Sequence, residues 1–444
     1  MKPHELRRWA STTRGLIAIA IAAMAAIALV AWMVREGPAE GPLPVDVTRA
    51  VVPALPSPSE SPPTQQVAPP PAVVVAARND QVQVCGGEWI DAGADGTVAE
   101  ADLESLRRRV VTRTMAPTLA LLLGSADERA RAAGQVLLAG DTELIGSVCK
   151  GDKDCVSRER QRHRAALVGL ARSTADAQVY AWAYQACLGA QPEDPGGCHQ
   201  ISVEQWARLD PGNATPWMHA ADLAKQRGDA GGLDEALFHV ASADRQDSGW
   251  GRLAATILEH VPDGEEHLIG ALMLATSAIG IDAAMLSPYL SVTEYCSVGA
   301  LADANRHETC ARIADVLADR SSTLMDQGIG RSLGRRLGWP SARLQALQDE
   351  RDAIAETGIH RAAARSKAEP RDCKAIVAEF DWMRQVAAEG ELGAGRSAIA
   401  ASGKSTEVLA AEWRASMAIA ARLPAASAAA SDAQIAVATR SPER

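Results

Sequence analysis

The pattern most suggestive of chemistry is Gly330-Arg331-Ser332-Leu333-Gly334, a literal Gly-x-Ser-x-Gly. In hydrolases this spacing sets a serine on a sharp strand-to-helix turn, exposed for attack on a carbonyl. The flanking residues lack the strand such a turn requires. Met325, Ile329, Leu333 and Leu337 form one four-residue row, and SSTLMDQGI already reads as helical. Gly338 fits the position just past a helix end, with Pro340 two residues later. Gly330 and Gly334, four apart, suit close approach of a neighbouring helix. A packed helix accounts for all five residues, and no catalytic role is expected for Ser332.

Other patterns fall in the same way. Ser147-Val-Cys149-Lys150 has the Ser-x-x-Lys spacing of penicillin-recognising enzymes, but neither Ser-Asp-Asn nor Lys-Thr-Gly accompanies it. Asp91, Asp95 and Gly96 superficially resemble a calcium loop. Gly93 and Asp102 break that pattern, and a capping box at Thr97 to Glu100 explains the stretch. His260 and His267 are separated by Pro262 and Gly264, which interrupt any helix between them. His163 and His239 read as surface or packing histidines. No Gly-rich phosphate loop is present. Asn213-Ala214-Thr215 fits a glycosylation sequon but reads better as a helix start. The expectation is no catalytic residue, no metal and no cofactor, although acids on many helix faces leave carboxylate pairs unassigned.

Eight cysteines in a chain read as exported point to disulfides. Cys149 and Cys155 bracket the polar turn KGDKD. Cys187 and Cys198 flank LGAQPEDPGG, and Cys296 and Cys310 lie on consecutive helical segments. Elimination leaves Cys85 with Cys373. Zinc is the rival, with Cys198-His199 and His307-x-x-Cys310 the nearest candidates, but no paired C-x-x-C exists.

These side chains must be positioned by helices. From Thr97 to about Leu423, apolar residues recur at three- and four-residue spacing, as in SADERARAAGQVLL (Ser125 as N-cap) and STEVLAAEWRASMAIAARL. The sequence divides into a cytoplasmic N-terminus (1–15), a transmembrane helix (16–34), a Pro-rich linker (35–84), a disulfide-stapled all-α domain (85–423) and a disordered tail (424–444). The apolar run from Leu16 to Val34 has 19 residues, about 28 Å of helix. Lys2, Arg7, Arg8 and Arg14 precede it, so the positive-inside rule keeps the N-terminus cytoplasmic. Ala26-Ile27-Ala28 offers a cleavage site, but it lies inside the run. Residues 38–71 hold 11 of the 23 prolines and act as a semi-rigid spacer. Only 4% of residues are aromatic, and 7 Lys stand against 38 Arg, a usage that points to a high-GC bacterial genome. Residues 1–34 carry +3, leaving −13 on the remainder of a chain whose net charge is −10. A nucleic-acid-binding surface is therefore not expected.

LDPGNATPWMHAADLAKQRGD, Leu209 to Asp229, resembles the first helix of a tetratricopeptide repeat. Asp210-Pro211 stands at the inter-repeat turn, Trp217 at the tryptophan position, Ala220 and Ala221 at the Leu-Gly pair, and Gly228-Asp229 at the inter-helix turn. Ala236, Val240 and Ala243 follow on the second helix. Residues 230–233 insert two positions, and Ala224 and Val240 replace aromatics. DAQVYAWAYQAC followed by SVEQWARLDP resembles the preceding helix pair. The resemblance implies an all-α, antiparallel helical-pair array, a tetratricopeptide-like α-solenoid or superhelix. It also implies binding of a protein or peptide segment through first-helix residues, here His219, Asp222 and Gln226. The expected protein is a non-enzymatic scaffold of the bacterial inner membrane, single-pass, with the bulk of its chain periplasmic and an envelope protein or peptide as partner. The alternative is a periplasmic enzyme acting on the cell wall from a helical groove.

Overall fold

The computed structural model describes residues 81–83, 85–86, 89–91, 110–140, 144–145, 149, 152–188, 196–284, 287–367 and 373–418. The expected N-terminus, transmembrane helix, most of the linker, the Thr97 capping box, Ser147, Lys150 and the tail lie outside the described residues. Among the described residues, no helix is long and apolar enough to cross a membrane. The described chain is helical apart from one hairpin, in which β1 (Gln81–Gln83) pairs antiparallel with β2 (Trp89–Asp91). Strand β1 thus lies inside the stretch read as linker. The chain forms two compact units, and each is built from several chain segments.

The first unit takes residues 1–202, 253–285 and 366–381. It contains the hairpin and a π-helical turn, Val111–Met115, that runs into α1 (Ala116–Gly124). There follow α2 (Glu128–Gly140), α3 (Lys153–Ala171), α4 (Ala177–Cys187), most of α8 (Arg252–Leu258), and α9 (Leu268–Ala284). Acidic N-caps start α2, α3 and α4. Asp152 accepts from the N–H groups of Asp154 and Cys155, and Asp176 from that of Gln178. Both also favour the positive helix end. Asp127 rather than Ser125 caps α2, because its Oδ1 takes the Arg129 N–H at 2.8 Å. Leu122, Leu137, Leu167, Trp182, Ile257 and Leu274 are fully buried. Three disulfides close this unit: Cys85–Cys373, Cys149–Cys155 and Cys187–Cys198.

The second unit takes residues 203–252, 286–365 and 382–444. Its described helices are α5 (Val203–Leu209), α6 (Ala214–Arg227), α7 (Ala230–Ser242), α10 (Tyr289–Tyr295), α11 (Ala304–Asp319), α12 (Leu324–Arg336), α13 (Ser341–Lys367), the later part of α14 (Lys374–Ser402), and α15, residues 406–418. One core joins Met218 of α6, Leu237 and Val240 of α7, Val292 of α10, Ile313 and Leu317 of α11, and Leu333 of α12. A second joins Ala353 and Ile354 of α13, Leu392 and Ile399 of α14, and Leu409 of α15. Each fully buried leucine contributes about 2 kcal/mol relative to an exposed one. Cys296–Cys310 ties α10 to α11.

Small residues set the spacing of these helices. A Cβ on Gly330 would stand 2.8 Å from the Leu317 carbonyl carbon and 2.9 Å from the Ala314 oxygen. Gly334 is covered by the Trp339 ring. That tryptophan folds back through a Schellman turn. Its N–H reaches the Gly334 carbonyl at 2.9 Å, the Gly338 N–H reaches Arg335 at 3.2 Å, and Gly338 sits at φ 77°. Ser332 is thus a mid-helix residue between two packing glycines. Helix α12 starts later than its apolar pattern implies, because Thr323 accepts from the Asp326 N–H and keeps Ser321 and Ser322 outside. Residues 230–233 form the first turn of α7, so the two-residue insertion lengthens a helix. Gly390, at φ 76° and ψ 165°, interrupts α14 and lets its backbone lie against Ser322.

Candidate binding cleft

Three connecting loops of the second unit run side by side. The Ala214 N–H donates to the Arg245 carbonyl at 2.8 Å, and the Gln246 N–H to the Arg320 carbonyl at 3.0 Å. The Ser322 N–H donates to the Gln246 carbonyl at 2.9 Å, and the Leu392 N–H to the Ser322 carbonyl at 3.1 Å. Asn213 locks the first loop. Its Oδ1 accepts from Thr215 and Asp247 N–H groups, and its amide donates to Asp210 and to the Asp247 carbonyl. It is 3% exposed, so the sequon asparagine is sealed inside a helix start.

Beside this ladder lies an open cleft of about 230 Å³. Its walls carry Arg245, Asp247, Trp250, Arg252, Arg320 and Glu389. Asp247 pairs with Arg252, while Arg245 pairs with Asp210 outside the cleft. The Arg320 guanidinium donates to the Ala243 carbonyl at 3.2 Å. The cleft thus gathers three arginines in a chain whose net charge is −10.

The strongly perturbed acids near this ladder are not cleft-lining groups. Asp326 is fully buried, and desolvation pushes its carboxyl up to about 6 against the opposing hydrogen bonds of Thr323, Tyr289 and Gln246. The Tyr289 hydroxyl donates to it at 2.7 Å and the Thr323 hydroxyl at 2.6 Å. Burial and the Asp326 charge raise the Tyr289 phenol well above its ordinary value. Glu391 is also raised by burial, although it accepts the Leu324 N–H at 2.8 Å. This network fastens the start of α12 to α10 and α14. Neither acid is placed to meet a ligand in the cleft.

The three residues expected to bind a partner have other engagements. His219 is 5% exposed and packs against Trp206 with ring centroids 5.5 Å apart. Burial lowers its imidazole to about 4. Asp222 accepts from Ser291 of α10 and from Gln226, each at 2.7 Å. They come together on α6, but His219 faces the interior and Asp222 braces α10. Trp217, on the same helix, stacks on His239 of α7 at 3.8 Å. His260 and His267 are occupied separately, by the Thr256 carbonyl and the Thr114 hydroxyl. Cys198 and Cys310 are disulfide-bonded, which removes the thiolates of both motifs weighed for the rival zinc reading. Sequence reasoning missed the cleft because its walls come from the connections after α7 and α11 and from α14, with no shared motif.

The chain matches no family model, no curated protein and no solved structure.

Proposed function

We propose that this protein is a non-enzymatic scaffold of the bacterial envelope, anchored in the inner membrane through residues 16–34, whose helical domain holds a segment of another envelope protein. The observation that carries this is the open, arginine-walled cleft beside the loop ladder. Its arginines favour an acidic segment, and Trp250 offers an aromatic contact on one wall. The paired helices α6–α7 and α11–α12 fit a tetratricopeptide-like array whose loop ends, rather than its first-helix face, receive the partner. Four disulfides suit an oxidising periplasm and a single-pass topology with the N-terminus in the cytoplasm.

A photocrosslinking amino acid at Trp250 of the full chain, activated in intact membranes, tests this. One protein adduct mapping to an acidic segment is expected, and Arg245→Glu should reduce it. Peptidoglycan cleavage by the purified chain, with no protein adduct at Trp250, would sink the scaffold in favour of a cell-wall enzyme.

A further inference from the structure

The seam between α13 and α15 is lined with acids. Asp349, Asp352, Glu356 and His360 follow one another along one side of α13 at helical spacing. Arg414 of α15 bridges the first two, with Nη1 2.7 Å from Asp349 and 2.8 Å from Asp352. Further along, Glu356 is 5% exposed, with Oε1 3.2 Å from His360 Nε2. Its Oε2 is buried without a hydrogen-bond partner among the described residues. Leaving a carboxylate oxygen desolvated and unpaired is costly, and a cation bound by this carboxylate offsets the burial of its charge.

We propose that Glu356, His360 and Glu412 form a binding site for a first-row divalent cation, Zn²⁺ foremost. One ligand atom from each lies within 4.8 Å of the others, the only such group among the described residues. Three protein ligands with one imidazole suit zinc, and leave a fourth position for water. Glu356 and His360 are one turn apart, so α13 presents them together. Glu412 comes from α15, so the ion would bridge the two helices. At present the Lys404 ammonium sits 2.7 Å from both Glu412 oxygens. Lys404 is substantially exposed and free to swing out, so it competes with the ion for Glu412. The proposal stands independently of the scaffold function.

The test is competition of the full-length, disulfide-intact chain against a chromophoric Zn²⁺ chelator, with thermal unfolding in parallel. One equivalent of Zn²⁺ is expected, together with a rise in midpoint. Glu356→Gln, His360→Ala and Glu412→Gln should each weaken binding by about tenfold or more. Lys404→Ala should strengthen it, an outcome that misfolding does not produce. Absence of stoichiometric binding to the wild type overturns the site. So does His360→Ala binding with unchanged affinity while its far-UV circular dichroism remains native.

Discussion

Replacing Gly330 by alanine adds one methyl group at the tightest point between α11 and α12. The new Cβ meets the Leu317 carbonyl carbon at 2.8 Å and the Ala314 oxygen at 2.9 Å, with the Ala318 nitrogen closer still. All three are backbone atoms of a helix and have no rotamer to escape into. Overpacking of this kind costs about 1 to 3 kcal/mol, and immovable obstacles place it near about 3. Alanine returns about 1 kcal/mol of helix propensity relative to glycine. The net loss is about 2 kcal/mol, a fall of about 4 to 8 °C in midpoint for a unit of this size. Thermal melts of the full chain by far-UV circular dichroism, without reductant, read this directly. Gly358→Ala is the counterpart on α13, since nothing lies within 4 Å of its added Cβ. It should stabilise by about 0.5 to 1 kcal/mol. Ser332→Ala should stay within about 0.5 kcal/mol of wild type. A Gly330→Ala midpoint at or above wild type would refute the close-packing account of the Gly-x-Ser-x-Gly stretch.

Removing Cys296–Cys310 by a double serine substitution frees a link across 14 residues and should cost about 3 kcal/mol. An unchanged denaturation midpoint would show that the staple is idle. The Asp326 carboxyl, raised from 3.8 to about 6, makes the folded chain hold a proton that the unfolded chain releases. Its contribution to stability is therefore full below pH 3.8, is lost as pH rises through about 6, and is absent above. Unfolding measured across that window should show this slope in wild type and lose it in Asp326→Asn. A wild-type slope preserved in the variant would assign the proton elsewhere.

Helical character was readable because apolar spacing and capping are local. Leu333 and Leu337, Gly338 and Trp339 describe the end of α12 without reference to any partner. The short cysteine loops are visible for the same reason, since each pair is close in sequence, at separations of 6, 11 and 14 residues. Tertiary placement was not readable. In α6, alanines on several sides give a helical wheel with no single inward face, and α5, α7 and α10 all pack on it. His219 therefore looked available and is enclosed. Arg245, Arg320 and Glu389, far apart in sequence, line one cleft where Gly390 breaks α14 against Ser322. Likewise the spacing of Glu356 and His360 is plain on paper, but Glu412 joins them only once α15 has docked.

The bond between Cys85 and Cys373 has a temporal consequence. Three of the four pairs join neighbours in cysteine order, at separations of 6, 11 and 14 residues. The fourth spans 288. In a chain delivered from its N-terminus, Cys85 emerges first and finds its partner last. Until Cys149 bonds Cys155 it is the next thiol in sequence after Cys85, and a premature bond between those two would also strand Cys155. The first unit is interrupted twice in sequence, so it has no complete core until its last segment arrives. Maturation therefore calls for either protection of one early thiol or a reshuffling step by thiol–disulfide exchange. A truncation before residue 373 should accumulate species in which Cys85 is free or wrongly bonded.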